Sequence, residues 1–175
     1  NNTSNMDVFT NFDNLKADGN TAEDQMVFSI AQVAKLGVAG QALKLIVIGV
    51  STTDVADGNT PVVTDISGAY NMESAATTNV LALGGTFSTV SSVEDALEAG
   101  GSHNLTSNKQ TDIGDAFIVA YDDGTDSYVS VMEVTGTVAD NDTFHSGSLR
   151  GSVIAKISGL AAATDLIADN FDLVT

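Results

Sequence analysis

Cysteine and tryptophan are absent from this 175-residue chain, proline occurs once, and 6 Lys+Arg stand against 23 Asp+Glu, a net charge of −17. Each shortage excludes something. Without cysteine there is no disulfide framework and no thiolate metal site. So few cations cannot neutralise a run of phosphates, which argues against a nucleic-acid partner. No apolar run approaches the roughly 18 residues of a membrane span, and no membrane insertion is expected. The longest run, Leu45–Val50, is strand length. No basic segment followed by an apolar one opens the chain, so no signal peptide is visible. A start at Asn1 instead of Met reads as a processed or excised piece.

What is present points to β structure. Hydrophobic residues make up 43% of the chain, too many for a disordered acidic tail. The length suits one domain, 1–175, with 1–12 as an extended strand arm. Of the acids, 18 are Asp and 5 are Glu. Asp gathers in turns because its carboxylate bonds nearby backbone, whereas Glu tolerates helices. The acid therefore falls between strands, as suits an extracellular, acid-surfaced protein. Ser and Thr contribute 35 residues, which also favours strands.

Alternation marks Asp7–Phe12 as a first strand. Met26–Ile30 is a short strand, and Ala31–Leu36 a turn or two of helix. Gln41–Val50 and Thr78–Leu83 are apolar on both faces and read as buried strands. Pro61–Ile66 starts on a proline, a position that strands tolerate. A helix is expected over Ser91–Ala99, opened by a Ser91/Glu94 capping box and closed near Gly100. Asp115–Tyr121 and Tyr128–Val134 flank a hairpin loop, Asp122–Ser127. Val153–Ile157 and Asn170–Val174 complete the strands. Strand 78–83, helix 91–99 and strand 115–121 suit one βαβ crossover, and the remaining strands are expected to be antiparallel. The expected fold is mainly β, an antiparallel sandwich-like domain with one short crossover helix at about residues 91–99.

Catalytic motifs are missing. His103 and His145 both fall in polar loops and read as solvated. Gly147-Ser148-Leu149-Arg150-Gly151 places its serine one position early for a nucleophile elbow. Metallopeptidase, P-loop and dinucleotide signatures do not occur, and no enzymatic activity is expected. Calcium is the more serious chemistry, because it takes oxygen ligands from flexible acidic loops. Asp122, Asp123 and Asp126 crowd one loop, Asp140, Asn141 and Asp142 a second, and Asp54, Asp57 and Asn59 a third. Asp122, Asp123, Asp126, Asp140 and Asp142 are the candidate ligands. The competing reading of each cluster is a turn in which Asp bonds its own backbone.

The carboxyl-terminal part carries a resemblance in Asn79–Leu83, Thr89–Gly100, Asp115–Gly124, Tyr128-Val129, Ile157–Leu160, Ala163–Leu166 and Phe171–Thr175. Residues 78–175 resemble the carboxyl-terminal domains of large bacterial RTX-type and S-layer-type proteins exported by type I secretion. Asp172-Leu173-Val174 is similar to their uncleaved secretion signal. The glycine-rich calcium repeats of that family do not occur in this chain. The resemblance implies a bacterial, extracellular or cell-surface structural protein that assembles with itself through strand edges into a layer, matrix or filament. The alternative is an adhesin or glycan-binding module that contacts cell-surface polysaccharide.

Overall fold

The computed structural model describes residues 6–12, 24–37, 42–46, 62–72, 80–107 and 109–174. Its centre is β8 (Asp115–Asp122), in which every residue is buried. A strand apolar on both faces needs cover on both faces, and the chain supplies it. β8 pairs antiparallel with β9 (Ser127–Val134) through the expected hairpin. Its other flank is shared by β3 (Lys44–Leu45) and β6 (Val80–Thr86), both parallel to it. Outward from β9 comes β10 (Leu149–Ser158), antiparallel, and then β1 (Asp7–Thr10), parallel to β10. Outward from β6 comes β4 (Val63–Ile66), again parallel. The order across the sheet is β1-β10-β9-β8-β6-β4.

Two small parallel pairs complete the strands: β2 (Met26–Ser29) with β11 (Phe171–Val174), and β5 (Tyr70–Asn71) with β7 (Leu105–Thr106). Helix α1 (Ile30–Val33) follows β2 directly, and α2 (Val90–Leu97) joins β6 to β8. The sheet therefore has two cores. On one face, Val90, Val93, Ala96 and Leu97 of α2 pack over Leu81, Phe117, Val119, Met132 and Val134. On the other, Met26, Val33, Leu166, Phe171 and Leu173 cover Ala116, Ile118, Val129, Val131 and Ile157.

The antiparallel sandwich expected from the sequence is thus incorrect. The molecule is mixed α/β, with antiparallel pairing in the main sheet confined to β8–β9–β10. The physical reason lies in connection length. The β8–β9 pair is joined by a tight turn, Asp123–Asp126, and strands apolar on both faces belong in a layer covered from both sides, where parallel neighbours are common. The βαβ unit β6–α2–β8 is present with parallel strands. Helix α2 starts a residue earlier than expected. Its capping box is formed by Thr89 and Ser92, with Thr89 Oγ1 accepting from Ser92 N at 3.1 Å and Ser92 Oγ accepting from Thr89 N at 3.2 Å. That register leaves Glu94 free to point elsewhere. Strand β10 is longer than Val153–Ile157 and absorbs Leu149–Ser152. Of the expected strand Gln41–Val50, residues 41 and 47–50 lie outside the described residues, as does the Asp54, Asp57 and Asn59 cluster.

Candidate functional site

β10 has two flanks, and they are covered differently. One runs along β9 from Leu149 to Ile157. The other carries β1, but only at Ala155–Ser158. Over Leu149–Ile154 no strand among the described residues lies on that second flank. Helix α2 reaches it instead. Glu94 lies in α2, and Glu98 is its C-cap residue one turn on, its N–H donating to Glu94 O at 3.1 Å. Glu98 accepts with Oε2 from Gly147 N at 2.7 Å and with Oε1 from Leu149 N at 2.8 Å. Glu94 Oε1 accepts from Gly151 N at 2.6 Å. Alternate residues of a strand direct their N–H groups to one side, so two carboxylates replace the acceptor row of a missing strand. Glu98 is buried, with 4% of its surface exposed. Desolvation pushes the Glu94 carboxyl above the usual carboxylate range, and the Gly151 N–H pulls it partly back.

Past Gly151 a cleft of about 610 Å³ opens along Ser152–Ile154. Lys35 and Leu36 line it from the turn after α1, Ser88 and Thr89 from the start of α2, and Met6 from the approach to β1. Arg150 sits in it and is held in place by Glu133: Nη2 lies 2.6 Å and Nε 3.0 Å from Glu133 Oε2. Arg150 Nη2 also donates to Leu36 O at 3.2 Å. Tyr121 and Tyr128, directly opposite in the β8–β9 register, stack with centroids 5.3 Å apart and planes at 18°. Desolvation pushes the Tyr121 phenol up to about 12. Lys156 Nζ lies 5.7 Å from the Tyr128 ring centroid. Chemically the cleft offers a strand flank, two cations and neutral phenols.

The proposed calcium ligands are placed otherwise. Asp122 is buried and accepts from Gly124 N at 3.0 Å and from Ala163 N at 3.2 Å. Asp123 Oδ1 accepts from Thr125 N and Asp126 N, each at 2.9 Å, while Oδ2 accepts from the Tyr128 hydroxyl at 2.8 Å. Asp126 Oδ1 accepts from Gly159 N at 2.8 Å, and Oδ2 pairs with Lys156 Nζ at 2.6 Å. Asp140 Oδ1 accepts from Asn141 Nδ2 at 3.2 Å, and Asp142 Oδ1 from Thr143 N at 2.8 Å. These oxygens close turns on protein donors. Among the described residues no group of three or more His, Cys, Asp or Glu side chains is arranged to hold a metal ion.

The two histidines separate. His145 is exposed beside Asp142, with Nε2 3.4 Å from Oδ2. His103, expected in solvent, is 6% exposed, with its ring edge-on to Phe87 at 5.4 Å. Its Nδ1 shares a 2.9 Å hydrogen bond with Ser102 Oγ. The backbone explains its burial: His103 N donates to Ala96 O at 2.9 Å, folding the loop back under the end of α2. No known protein family, curated protein or solved structure matches this chain. The reading of the site therefore rests on the geometry above.

Sequence reasoning missed Glu94, Glu98 and Glu133 as a group. A signal existed: three of the five glutamates come together at one end of β10, two of them spaced by four on the clearest helix. The β8–β9 hairpin also has a testable acid response. The N–H of Asp126, then the Tyr128 hydroxyl, hold the Asp123 carboxyl below the usual carboxylate range. A depressed carboxyl contributes stability that is complete above its unfolded value of about 3.9 and lost as pH falls through the lower folded value. Asp123→Asn should therefore melt below the parent at neutral pH, and the gap should shrink as both are acidified to about pH 2. Glu94 titrates in both proteins and cancels from the difference. Parallel melting curves with a pH-independent gap would refute this.

Proposed function

We propose that the chain is a non-enzymatic structural subunit of a bacterial cell surface. In this reading it is exported by a type I-like route through its carboxyl-terminal segment and assembles with copies of itself into a layer, matrix or filament. The observation that carries the reading is the margin of the main sheet at β1. Asp7, Val8 and Thr10 are exposed there, Val8 by 56%, while Phe9 packs toward the core. Margins of this kind pair with other chains unless proline, lysine or a bulge protects them, and β1 has none of the three. The terminal strand β11 is already engaged by β2 within the chain, so β1 is the better assembly element. A sugar-stacking role has less support, because Tyr128 has Tyr121 stacked on its ring and Lys156 beside it.

Electron microscopy and sedimentation of the parent and Val8→Lys, each in millimolar calcium and in chelator, test the reading. The parent should form ordered assemblies, and Val8→Lys should shift them toward free subunits without lowering the melting temperature. A parent that stays monomeric under every condition would overturn the proposal. The calcium arm separates a need for an ion from simple screening of the −17 charge.

A further inference from the structure

We infer that Tyr121 and Tyr128 form an oxidative coupling site, at which a peroxide-driven one-electron oxidant joins the two rings into an intrachain dityrosine across β8 and β9. The inference goes beyond the assembly reading and does not rest on it. Three observations converge. First, the rings are already paired. They stand directly opposite in the antiparallel ladder, where neighbouring side chains lie closest. Their centroids are 5.3 Å apart and their planes at 18°. Two of the three tyrosines in the chain meet in this one contact. Second, Tyr128 has a proton acceptor beside it: its hydroxyl donates to Asp123 Oδ2 at 2.8 Å. The N–H of Asp126, then that hydroxyl, hold the Asp123 carboxyl below the usual carboxylate range, so it is ionised at neutral pH and able to accept. Lys156 Nζ, 5.7 Å from the ring centroid, opposes positive charge on Tyr128. Loss of the electron together with the proton avoids that charge.

Third, the surroundings direct the radicals toward each other. The chain has no cysteine and no tryptophan to compete as electron donors. Tyr128 is half-buried and reachable by an oxidant, whereas Tyr121 is buried beneath it and out of reach of a second chain. The step balances as follows. Each tyrosine loses one electron and its hydroxyl proton, the Tyr128 proton passing to Asp123 and the Tyr121 proton to solvent. A bond forms between ring carbons ortho to the two oxygens, and the hydrogen on each joined carbon shifts to its oxygen. The net change is the loss of two hydrogen atoms, which reduce one peroxide to two waters. Without cysteine this is a covalent tie between strands that the chain can still make.

Oxidation of the full chain with hydrogen peroxide and a haem peroxidase, followed by dityrosine fluorescence, intact mass and peptide mapping, provides the test. The parent should lose two hydrogen atoms, remain a single covalent chain, and yield one cross-linked peptide pair that contains Tyr121 and Tyr128. The rate should not depend on protein concentration. Tyr121→Phe and Tyr128→Phe each keep both rings and should abolish the intrachain product, while Tyr70→Phe should leave it unchanged. Asp123→Asn, compared where circular dichroism shows it folded, should slow coupling by at least about tenfold. A parent that gives no intrachain product, or cross-links that use Tyr70 or join separate chains instead, would overturn the proposal. Coupling at the parental rate in Asp123→Asn would overturn the part given to Asp123.

Discussion

Glu98→Ala is expected to lower the unfolding free energy by about 2–4 kcal/mol, since the buried Leu149 N–H left without an acceptor costs roughly 1–3 kcal/mol and the exposed Gly147 N–H less. The side chain is buried and satisfies two backbone N–H groups, at Gly147 and Leu149, that have no described strand beside them. Truncation leaves the buried Leu149 N–H without an acceptor, turns the Gly147 N–H to water and opens a void between α2 and β10. Glu98→Gln keeps one acceptor oxygen but turns an amide NH2 toward the other donor, so its loss should be smaller, about 2 kcal/mol. Urea denaturation of the three proteins reads the series directly. Against a total stability typically of about 5–15 kcal/mol, the alanine variant should be conspicuously fragile. A loss below about 1 kcal/mol would mean that water reaches these donors, and that Glu98 does not hold the start of β10.

Gly151→Ala should cost about 2–4 kcal/mol, from overpacking together with a weakened hydrogen bond. A Cβ at this position would overlap Val90 Cγ2 and approach Met132 Cε to 3.1 Å and Glu94 Oε1 to 3.2 Å. The helix must then lift from the strand, taking Glu94 away from the Gly151 N–H. The specific signature is compensation. Val90→Ala alone creates a void, but combined with Gly151→Ala it removes the atom in the way. The double variant should be destabilised by at least about 1 kcal/mol less than the sum of the singles. Strict additivity would place the strain elsewhere.

These two positions also show what could and could not be read from the chain. Asp115–Tyr121 was legible as a strand from its apolar run, but the buried central place was expected of Gln41–Val50 and falls to β8. Helix α2 was legible from its spacing and the nearby glycines, although its cap lies at Thr89 and Ser92. Strand direction was legible at the β6–α2–β8 crossover and the β8–β9 hairpin, and not at the other pairs. A buried run looks the same beside a parallel or an antiparallel neighbour, and the long connections that decide between them carry no pattern of their own. Among the described residues Asp123, Asp126, Asp140 and Asp142 lie in loops as expected and Asp122 ends β8, but their donors were hidden: Asp122 closes on Ala163 and Asp126 on Gly159, partners distant in sequence. His103 looked solvated because its neighbours are polar, and it is buried because the loop turns back beneath α2. Glu94 was read as a cap partner and Glu98 not at all, because the backbone donors they hold lie 57, 51 and 49 positions away.

The placement of β1 beside β10 and of β2 beside β11 sets the order in which the chain can fold. Both strands near the amino terminus pair with segments near the carboxyl terminus, and Gln25 Nε2 bonds Asp169 O, 144 positions away. A chain emerging from its amino end therefore carries two strands that have no mates until its last segments appear. Loop closure over such spans costs entropy before any contact repays it, which makes folding slow. The hairpin β8–β9 and the unit around α2 can form early, but the second core stays open until Phe171 and Leu173 arrive. The arrival of β10 and β11 thus becomes the event that permits the domain to close.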